Sequence, residues 1–250
     1  MILGVMQPYF FPYLGYFDLM NRCERWIVFD SPQYMREGWV NRNRILHPGG
    51  GWQYITVPVK KHPRETPIHQ MEAVEAPDWR RKIVHQFTPY RRRAPYYWQT
   101  IDLLEDCFSD GERNLSRLNV RCLGKVCDYL GIRWTPEIFS ELNLNLGPVE
   151  TAADWALRIA EAAGATEYFN PPGGAALYDP ERFLEQGIRL HIQEDFEFRY
   201  ECPGFTYVPK LSVLDALMWE SPSAIKAHLD GIKVAAEERA EAEFAGAFRF

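Results

Sequence analysis

The chain has 250 residues, of which 46% are hydrophobic and 25% charged, and its formal net charge is -6. This length and composition are typical of a globular protein with one large domain or two small ones, and exclude a low-complexity or fibrous chain. The negative charge also excludes a global basic field that would attract nucleic acid.

The first thirty residues predict a βαβ unit. An apolar run at 2–6 is typical of a buried strand, and after a loop at 7–15 a helix from Tyr16 to about Cys23 leads to a second strand at 25–30. Two strands joined through a helix imply parallel pairing with a right-handed crossover. Ligands bind beyond the carboxyl ends of parallel strands, so the loop is expected at a binding site.

The loop at 7–15 combines two prolines with a dense set of aromatic rings. The prolines stiffen it, and a glycine at its end lets the next helix begin close to the strand. Gln7 offers an amide donor and acceptor, and we predict it to be catalytic. We predict that the loop binds substrate through Tyr9, Phe10, Tyr13, Gly15 and Tyr16. The alternative is that several of these rings only pack the helix onto the sheet.

Residues 39–46 and 53–59 predict a β-hairpin with a glycine-rich turn. Alternation along a strand places Asn41 on one face, with the next asparagine, and Arg42 and Arg44 on the other. Two arginines form a fork for a carboxylate or phosphate. We predict Arg42, Arg44 and Lys60 to bind substrate and Asn41 to be a catalytic oxyanion donor. The alternative is an exposed edge strand with solvated charges.

The pattern is helical from about 78 to 135, and α/β alternation then resumes. A capped helix at 151–163 precedes a strand through Tyr168. Together these elements predict an α/β fold in which a parallel or mixed central sheet, with the first strand central, carries flanking helices and a helical insertion. We predict a single domain over 1–234 and a peripheral helical tail over 235–250.

A second strand-end loop, Pro-Pro-Gly-Gly at 171–174, follows that strand. Such a turn can bring backbone N–H groups close to an oxyanion or a phosphate. We predict Gly173 and Gly174 to bind substrate, and Tyr168 and Tyr178 to be catalytic by assisting proton transfer. A plain turn is the alternative. The three predicted clusters are expected to converge at one edge of the sheet.

The five cysteines and six histidines are scattered. The closest cysteines, Cys122 and Cys127, have no histidine cluster at zinc-like spacing. We therefore expect reduced thiols, no metal and no cofactor. The chain shows neither a signal-peptide pattern nor an apolar run approaching the roughly 18 residues of a membrane span, so a cytoplasmic protein without membrane contact is expected.

The segment from Pro12 to Tyr16 is similar to the H-x-x-G-H motif of the HIGH superfamily, with both histidines replaced. Those histidines stabilise charge on a transferring nucleotide phosphate. A HIGH-superfamily-like nucleotide-binding topology therefore stays an alternative for the fold, while its adenylyl transfer lacks the usual residues.

Several segments in the same order resemble the WbqC-like proteins, over about residues 1–230. They are MQPYFFPYLGYFDLM, W-x-NRNRI, W-x-Y-x-TVPV, YF-x-PPGGAALY-D and F-x-YVPKLSVLDAL. The family is associated with bacterial polysaccharide clusters, notably for O-antigens, in which members are often described as glycine transferases.

This resemblance implies amide formation. An aminoacyl or acyl group would pass from an activated donor, such as a carrier protein or an aminoacyl-tRNA, to a small-molecule amine acceptor such as an amino sugar. Two alternatives remain open: a nucleotide-dependent transferase or ligase of HIGH-like fold, and a non-catalytic partner that binds a carrier protein through its aromatic face.

Overall fold

The computed structural model describes residues 1–76 and 78–247, and the side chains of 1–76 and 78–235. The strands are β1 (Ile2–Met6), β2 (Arg25–Val28), β3 (Arg42–Leu46), β4 (Trp52–Thr56), β5 (Pro136–Ile138), β6 (Glu167–Asn170) and β7 (Arg189–Ile192). The helices are α1 (Leu14–Arg22), α2 (Asp78–Gln86), α3 (Tyr97–Cys107), α4 (Leu115–Leu130), α5 (Ala152–Ala162), α6 (Pro180–Glu185), α7 (Val213–Trp219) and α8 (Pro222–Ala247).

Five strands form a parallel sheet in the order β5-β2-β1-β6-β7, with β1 at its centre. Helices flank this sheet, so the predicted α/β fold with a central first strand is confirmed. Numbered along the chain, the sheet strands run 3-2-1-4-5, and the direction of this order reverses between β1 and β6. Such a reversal opens a crevice at the carboxyl ends of the two strands, where α/β proteins bind ligands. The HIGH-superfamily-like topology stays a prediction.

The central strands alternate between two apolar cores, one on each face of the sheet. Leu3, Val5 and Ile27 pack with α5 on one face, whereas Trp26 and Val28 belong to the larger core on the other. The helices α2, α3 and α4 occupy the predicted helical region and contribute to that larger core. Burial of these apolar side chains on both faces fixes the register of β1.

A glycine permits close packing across the central strand. A Cβ added to Gly4 would lie 2.6 Å from the Trp26 ring, so any larger residue would displace this indole. Trp26 lies directly opposite Gly4 in the β1–β2 register. The glycine therefore allows a fully buried tryptophan to cover the middle of the sheet.

The predicted hairpin forms a separate antiparallel pair, β3–β4. Its second strand ends at Thr56 rather than at 59, because the backbone then turns to pair elsewhere, with an isolated bridge between Val59 and Ala73. The edge strand β5 was not anticipated. No helix in the described part of the chain is long and apolar enough to cross a membrane.

The division into a domain over 1–234 and a tail over 235–250 stays a prediction. The backbone of α8 is helical through Ala247, and residues 248–250 lie outside the described residues.

Candidate functional site

A cavity of about 560 Å³ opens where the loops after β1 and β6 meet, at the reversal of strand order. Its wall also includes residues of the hairpin and of the segment after β7. A volume of this size accommodates a small-molecule ligand. A second cavity, also of about 560 Å³, lies among residues 199–207 and contains none of the predicted site residues.

Four predicted residues of the cavity wall come from the loop after β1 and the first turn of α1: Gln7, Tyr9, Tyr13 and Tyr16. Four more predicted residues reach the same wall from distant parts of the chain: Arg44, Gly173, Gly174 and Tyr178. Three segments that are far apart in the sequence therefore line one cavity.

Side-chain amides hold the backbone of the loop after β1 in place. Asn119 Nδ2 donates to the carbonyl oxygen of Pro8 at 2.7 Å. Asn43 Nδ2 donates to the carbonyl oxygens of Phe10 and Phe11 at 3.0 and 2.9 Å. A buried loop has to satisfy its polar backbone internally. The amides do this, so the loop has a fixed shape before any ligand binds.

The beginning of α7 completes this support. Ser212 Oγ donates to the carbonyl oxygen of Phe11 at 2.8 Å, and the backbone N–H of Val213 donates to that of Pro12 at 2.8 Å. The backbone N–H of Ser212 donates to the carbonyl oxygen of Arg44 at 2.8 Å. One helix end therefore fixes the aromatic loop and β3 relative to each other.

Backbone strain is concentrated around the cavity. Among the described residues, the non-glycine residues with positive φ are Phe11 at 41°, Glu37 at 62° and Lys210 at 55°. Lys210 lines the cavity, Phe11 precedes the lining residue Pro12, and Glu37 lies two positions before the lining residue Trp39. Such conformations persist only when the surroundings enforce them, and they cluster at functional sites.

Two predicted residues are core residues and do not line the cavity. Phe10 is fully buried, with its ring 4.8 Å from that of Phe11 and 6.5 Å from that of Phe108. Tyr168 is buried against Phe183, at 5.5 Å between ring centroids. Burial raises the pKa of Tyr168 well above its usual value, so this phenol cannot serve as a base. Neither side chain lines the cavity, so their contact with substrate stays a prediction that this packing does not favour.

Gly15 leaves space for the ring of Tyr13, which lines the cavity. A Cβ at Gly15 would lie 2.3 Å from the Tyr13 ring, so the glycine makes room for that ring beside the start of α1. Its carbonyl oxygen accepts a hydrogen bond from Gln193 at 2.8 Å. Gly15 is not itself a lining residue, so its direct contact with substrate stays a prediction.

Two predicted polar residues of the hairpin region, Asn41 and Arg42, bind other parts of the protein instead of facing the cavity. Asn41 Nδ2 donates to the carbonyl oxygen of Val57 at 2.9 Å, and this buried amide is not available to a substrate. Arg42 donates to the carbonyl oxygen of Glu37 and lies over the Tyr54 ring, at 4.1 Å from its centroid. Neither residue lines the cavity, so the role of each in catalysis or binding stays a prediction that these contacts do not favour.

Lys60 also lies outside this cavity. Its ammonium pairs with Glu72 at 2.5 Å, beside a different surface depression. Since Lys60 does not line the strand-end cavity, its binding of a substrate anion stays a prediction that this pairing does not favour.

The cavity wall also contains residues that were not predicted as site residues, among them Trp39, Asp195 and Lys210. Lys210 forms an ion pair with Asp195. Both Trp39 and Lys210 stand within the segments that carry the family resemblance, but no periodic pattern marks them as site residues. Asp195 lies just beyond β7, so its position after a strand was the one signal that could have indicated it.

The tyrosines of the wall are protonated at neutral pH. Burial raises the pKa of Tyr9, and burial together with the nearby Asp195 raises that of Tyr13. Burial also raises the pKa of Tyr178, although a hydrogen bond with Tyr168 opposes this effect. These phenols therefore offer O–H donors rather than bases.

Among the described residues, those that line the cavity include no serine, threonine, cysteine or histidine. Burial raises the pKa of the thiols of Cys23, Cys122, Cys127 and Cys202, which opposes formation of a thiolate. Within residues 1–76 and 78–235, no group of three or more histidine, cysteine or acidic side chains is arranged to hold a metal ion. A covalent intermediate on serine, threonine, cysteine or histidine therefore has no candidate nucleophile among the described residues of this wall.

Comparisons with known proteins cover nearly the whole chain. The model of the WbqC-like protein family matches residues 7–227. The chain is also 30% identical, over 217 residues, to the uncharacterized protein Rv1507c of Mycobacterium tuberculosis, a match that covers 86% of this chain and 92% of that protein. No solved structure matches the chain.

Proposed function

This chain belongs to the WbqC-like protein family, and from that premise we propose that it is an amide-forming transferase. It passes an acyl or aminoacyl group, such as glycyl, from an activated donor to the amine of a small acceptor such as an amino sugar. The observation that carries the proposal is the strand-end cavity, whose wall combines hydrogen-bond donors and aromatic rings and has no serine, threonine, cysteine or histidine among the described residues.

The composition of the wall favours direct attack of the amine on the donor carbonyl. The amine nitrogen bonds to the carbonyl carbon while the C=O π electrons move to oxygen, and the resulting oxyanion then re-forms the carbonyl as the bond to the leaving group breaks. The proton lost by nitrogen passes to Asp195 or to the leaving group. Because the donor is already activated, the protein contributes alignment of the two reactants and stabilisation of the tetrahedral oxyanion.

Three donors are suited to that oxyanion. The Gln7 side chain lines the cavity and has no hydrogen-bond partner within the described chain, so its amide is free to bind a ligand. Tyr178 supplies a protonated phenol. Of the two glycines, Gly174 donates its N–H to the carbonyl oxygen of Pro171 at 3.1 Å, which leaves the N–H of Gly173 as the third donor.

The test is detection of the amide product by mass spectrometry. The protein is incubated with amino sugars and one of three glycyl donors: a phosphopantetheine thioester, glycyl-tRNA or glycyl adenylate. One donor should give a product whose mass equals that of acceptor plus acyl group. If no donor yields product while sugar nucleotides bind tightly, the proposal is rejected.

The strand order favours a second candidate, a nucleotide-dependent transferase or ligase. A sheet of order 3-2-1-4-5 with a cavity at the reversal is an arrangement found in nucleotide-binding proteins, although fold alone does not establish function. This candidate requires ATP to raise the melting temperature and pyrophosphate to be released during turnover. Absence of both effects would leave the transferase as the only enzymatic candidate.

A further inference from the structure

Arg44 is a cation of the cavity wall that has no counter-ion among the described side chains. Its guanidinium carbon lies 5.3 Å from the Trp39 ring centroid and 5.2 Å from that of Trp52. One of its terminal nitrogens donates to the carbonyl oxygen of Lys210 at 3.3 Å, and its buried Nε has no partner. It forms no ion pair with any described residue. Two indoles therefore hold in place a guanidinium whose charge is left for a ligand.

Lys210 provides a second cation in the same wall. Its left-handed backbone, with φ of 55°, places its carbonyl oxygen against Arg44 while its ammonium pairs with Asp195. The Asp195 side chain is 77% exposed. An ion pair this exposed contributes little free energy, so an incoming anion can replace the carboxylate at small cost.

We propose that the cavity binds a phosphate ester of the donor through Arg44 and Lys210, and that this phosphate replaces Asp195 as the counter-ion of Lys210. A guanidinium binds phosphate with a planar fork, and an ammonium adds a compact charge beside it. That the phosphate belongs to the donor rests on the proposed transferase function. Asp195 is then released to bind the amine of the acceptor, so the donor binds first.

Two kinds of donor share this chemistry, the phosphopantetheine arm of a carrier and a nucleotide. Isothermal titration calorimetry with four probes distinguishes them: 4'-phosphopantetheine, pantetheine, AMP and adenosine. The phosphorylated member of one pair should bind at least about ten-fold more tightly than its dephosphorylated counterpart, and that pair identifies the source. Equal affinities within both pairs would overturn the proposal.

Arg42 and Arg44 form a matched pair for mutagenesis. Both project from β3 and lie over aromatic rings, but only Arg44 lines the cavity. Arg44→Ala should weaken binding of the phosphorylated probe about ten- to a hundred-fold, whereas Arg42→Ala should leave it unchanged. Arg44→Lys retains the charge without the planar fork and should give intermediate affinity. Equal effects of the two alanine variants would contradict the assignment.

Variants of the ion pair test the exchange of counter-ions. Lys210→Asn removes the charge with a residue that tolerates left-handed backbone, and should weaken binding of the probe. Asp195→Asn removes the competing carboxylate and should tighten it. If Asp195→Asn weakens binding instead, Asp195 positions Lys210 rather than competing with phosphate, and the proposed exchange is rejected.

These binding measurements are independent of turnover. If phosphorylated probes bind at Arg44 and Lys210 but no amide forms with any donor, the phosphate site stands and the transferase function fails. If an unphosphorylated pantetheine thioester reacts with the same kcat/KM as its phosphorylated form, the function stands and the phosphate site fails.

Discussion

Asn43 holds Phe11 in a backbone conformation that phenylalanine rarely adopts. The Asn43 side chain donates to the Phe11 carbonyl oxygen at 2.9 Å, and φ of Phe11 is 41°. A left-handed residue of this kind costs about 1–3 kcal/mol, which surrounding contacts have to offset. Since Pro12 and Tyr13 come next and line the cavity, this amide, together with Ser212 and Val213, holds the course of an aromatic wall.

We expect Asn43→Ala to lower the free energy of unfolding by about 1–3 kcal/mol, because the buried carbonyl oxygen of Phe10 then has no partner. Asn43→Asp should destabilise more, since a carboxylate would face two carbonyl oxygens. Urea unfolding measures both effects. Asn143→Ala, at an exposed position, is the control. A wild-type unfolding midpoint for Asn43→Ala would show that other contacts hold the loop.

Replacement of Gln7 tests the chemical step. Gln7→Ala should reduce kcat about a hundred-fold or more if this amide stabilises the oxyanion. Stability should not change, because the amide has no partner among the described residues. Steady-state kinetics measures the change in kcat, and thermal unfolding measures stability. The exposed Gln186→Ala is the control for both. A raised KM with unchanged kcat would reassign Gln7 to substrate binding.

The two glycines after β6 should respond differently to alanine. A Cβ at Gly174 would lie 2.2 Å from Asn170 Nδ2 and 3.1 Å from the Tyr178 ring, whereas a Cβ at Gly173 meets nothing within 4 Å. Gly174→Ala therefore has to displace the buried Asn170, which donates to the carbonyl oxygen of Pro171 at 2.8 Å. We expect it to cost about 1 kcal/mol of stability and to lower kcat by displacing Tyr178.

Gly173→Ala is the matched variant for that experiment. It should unfold like the wild type, and it should affect only substrate affinity, because the added methyl group occupies open space beside the cavity. If both variants unfold alike, close packing around Gly174 is not what the turn requires.

The carboxylate of Asp215 should make stability depend on pH. It is fully buried and accepts hydrogen bonds from the hydroxyls of Tyr90 and Tyr200 and from the backbone N–H of Leu46. Burial raises the pKa of Asp215, although these hydrogen bonds oppose the effect. Its contribution to stability is therefore greatest below the ordinary carboxyl pKa of about 3.9 and falls as pH rises through the raised value.

Comparison of the wild type with Asp215→Asn isolates this titration. The stability of the wild type relative to the variant should decrease as pH rises from 4 to 8, as measured by urea unfolding at each pH. A relative stability that rises over this range would show that the hydrogen bonds outweigh burial.

The contribution of Asp154 to stability should change with pH in the opposite direction to that of Asp215. Hydrogen bonds from Arg182 and Thr151 hold the pKa of its carboxyl well below the usual range. Its contribution is present above the ordinary carboxyl pKa and is lost as pH falls toward the depressed value. Asp154→Asn should therefore destabilise at pH 7 and have a smaller effect in acid. An effect of equal size at both pH values would contradict this assignment.

The strands of the sheet differ in how far the sequence determines them. An apolar run followed by a loop rich in proline or glycine identified β1 and β6. In contrast, β5 has three residues, Pro136–Ile138, all half-buried at the edge of the sheet. A segment that short shows neither alternation nor a buried run, and only its pairing with β2 makes it a strand.

For the candidate site, the sequence indicated the segments better than the individual side chains. Alternation correctly separated the faces of Asn43 and Arg44, but it could not tell that the amide face is used by the protein itself. Similarly, Tyr9 and Phe10 are adjacent aromatic residues, and only the packing shows which one is fully buried. The left-handed φ of Lys210 has no signature in residue type, since lysine does not favour it.

The bonds between α7 and the aromatic loop also bear on when the cavity can form during synthesis. Ser212 and the carbonyl oxygen of Phe11 that it binds are separated by 201 positions. The ribosome releases the loop early, and contacts between such distant positions form late in folding. A nascent chain that ends before Ser212 contains the whole loop and Asn43, but it lacks the hydroxyl that donates to Phe11 and the backbone N–H that donates to Pro12. The complete cavity can therefore form only after the ribosome has translated the beginning of α7.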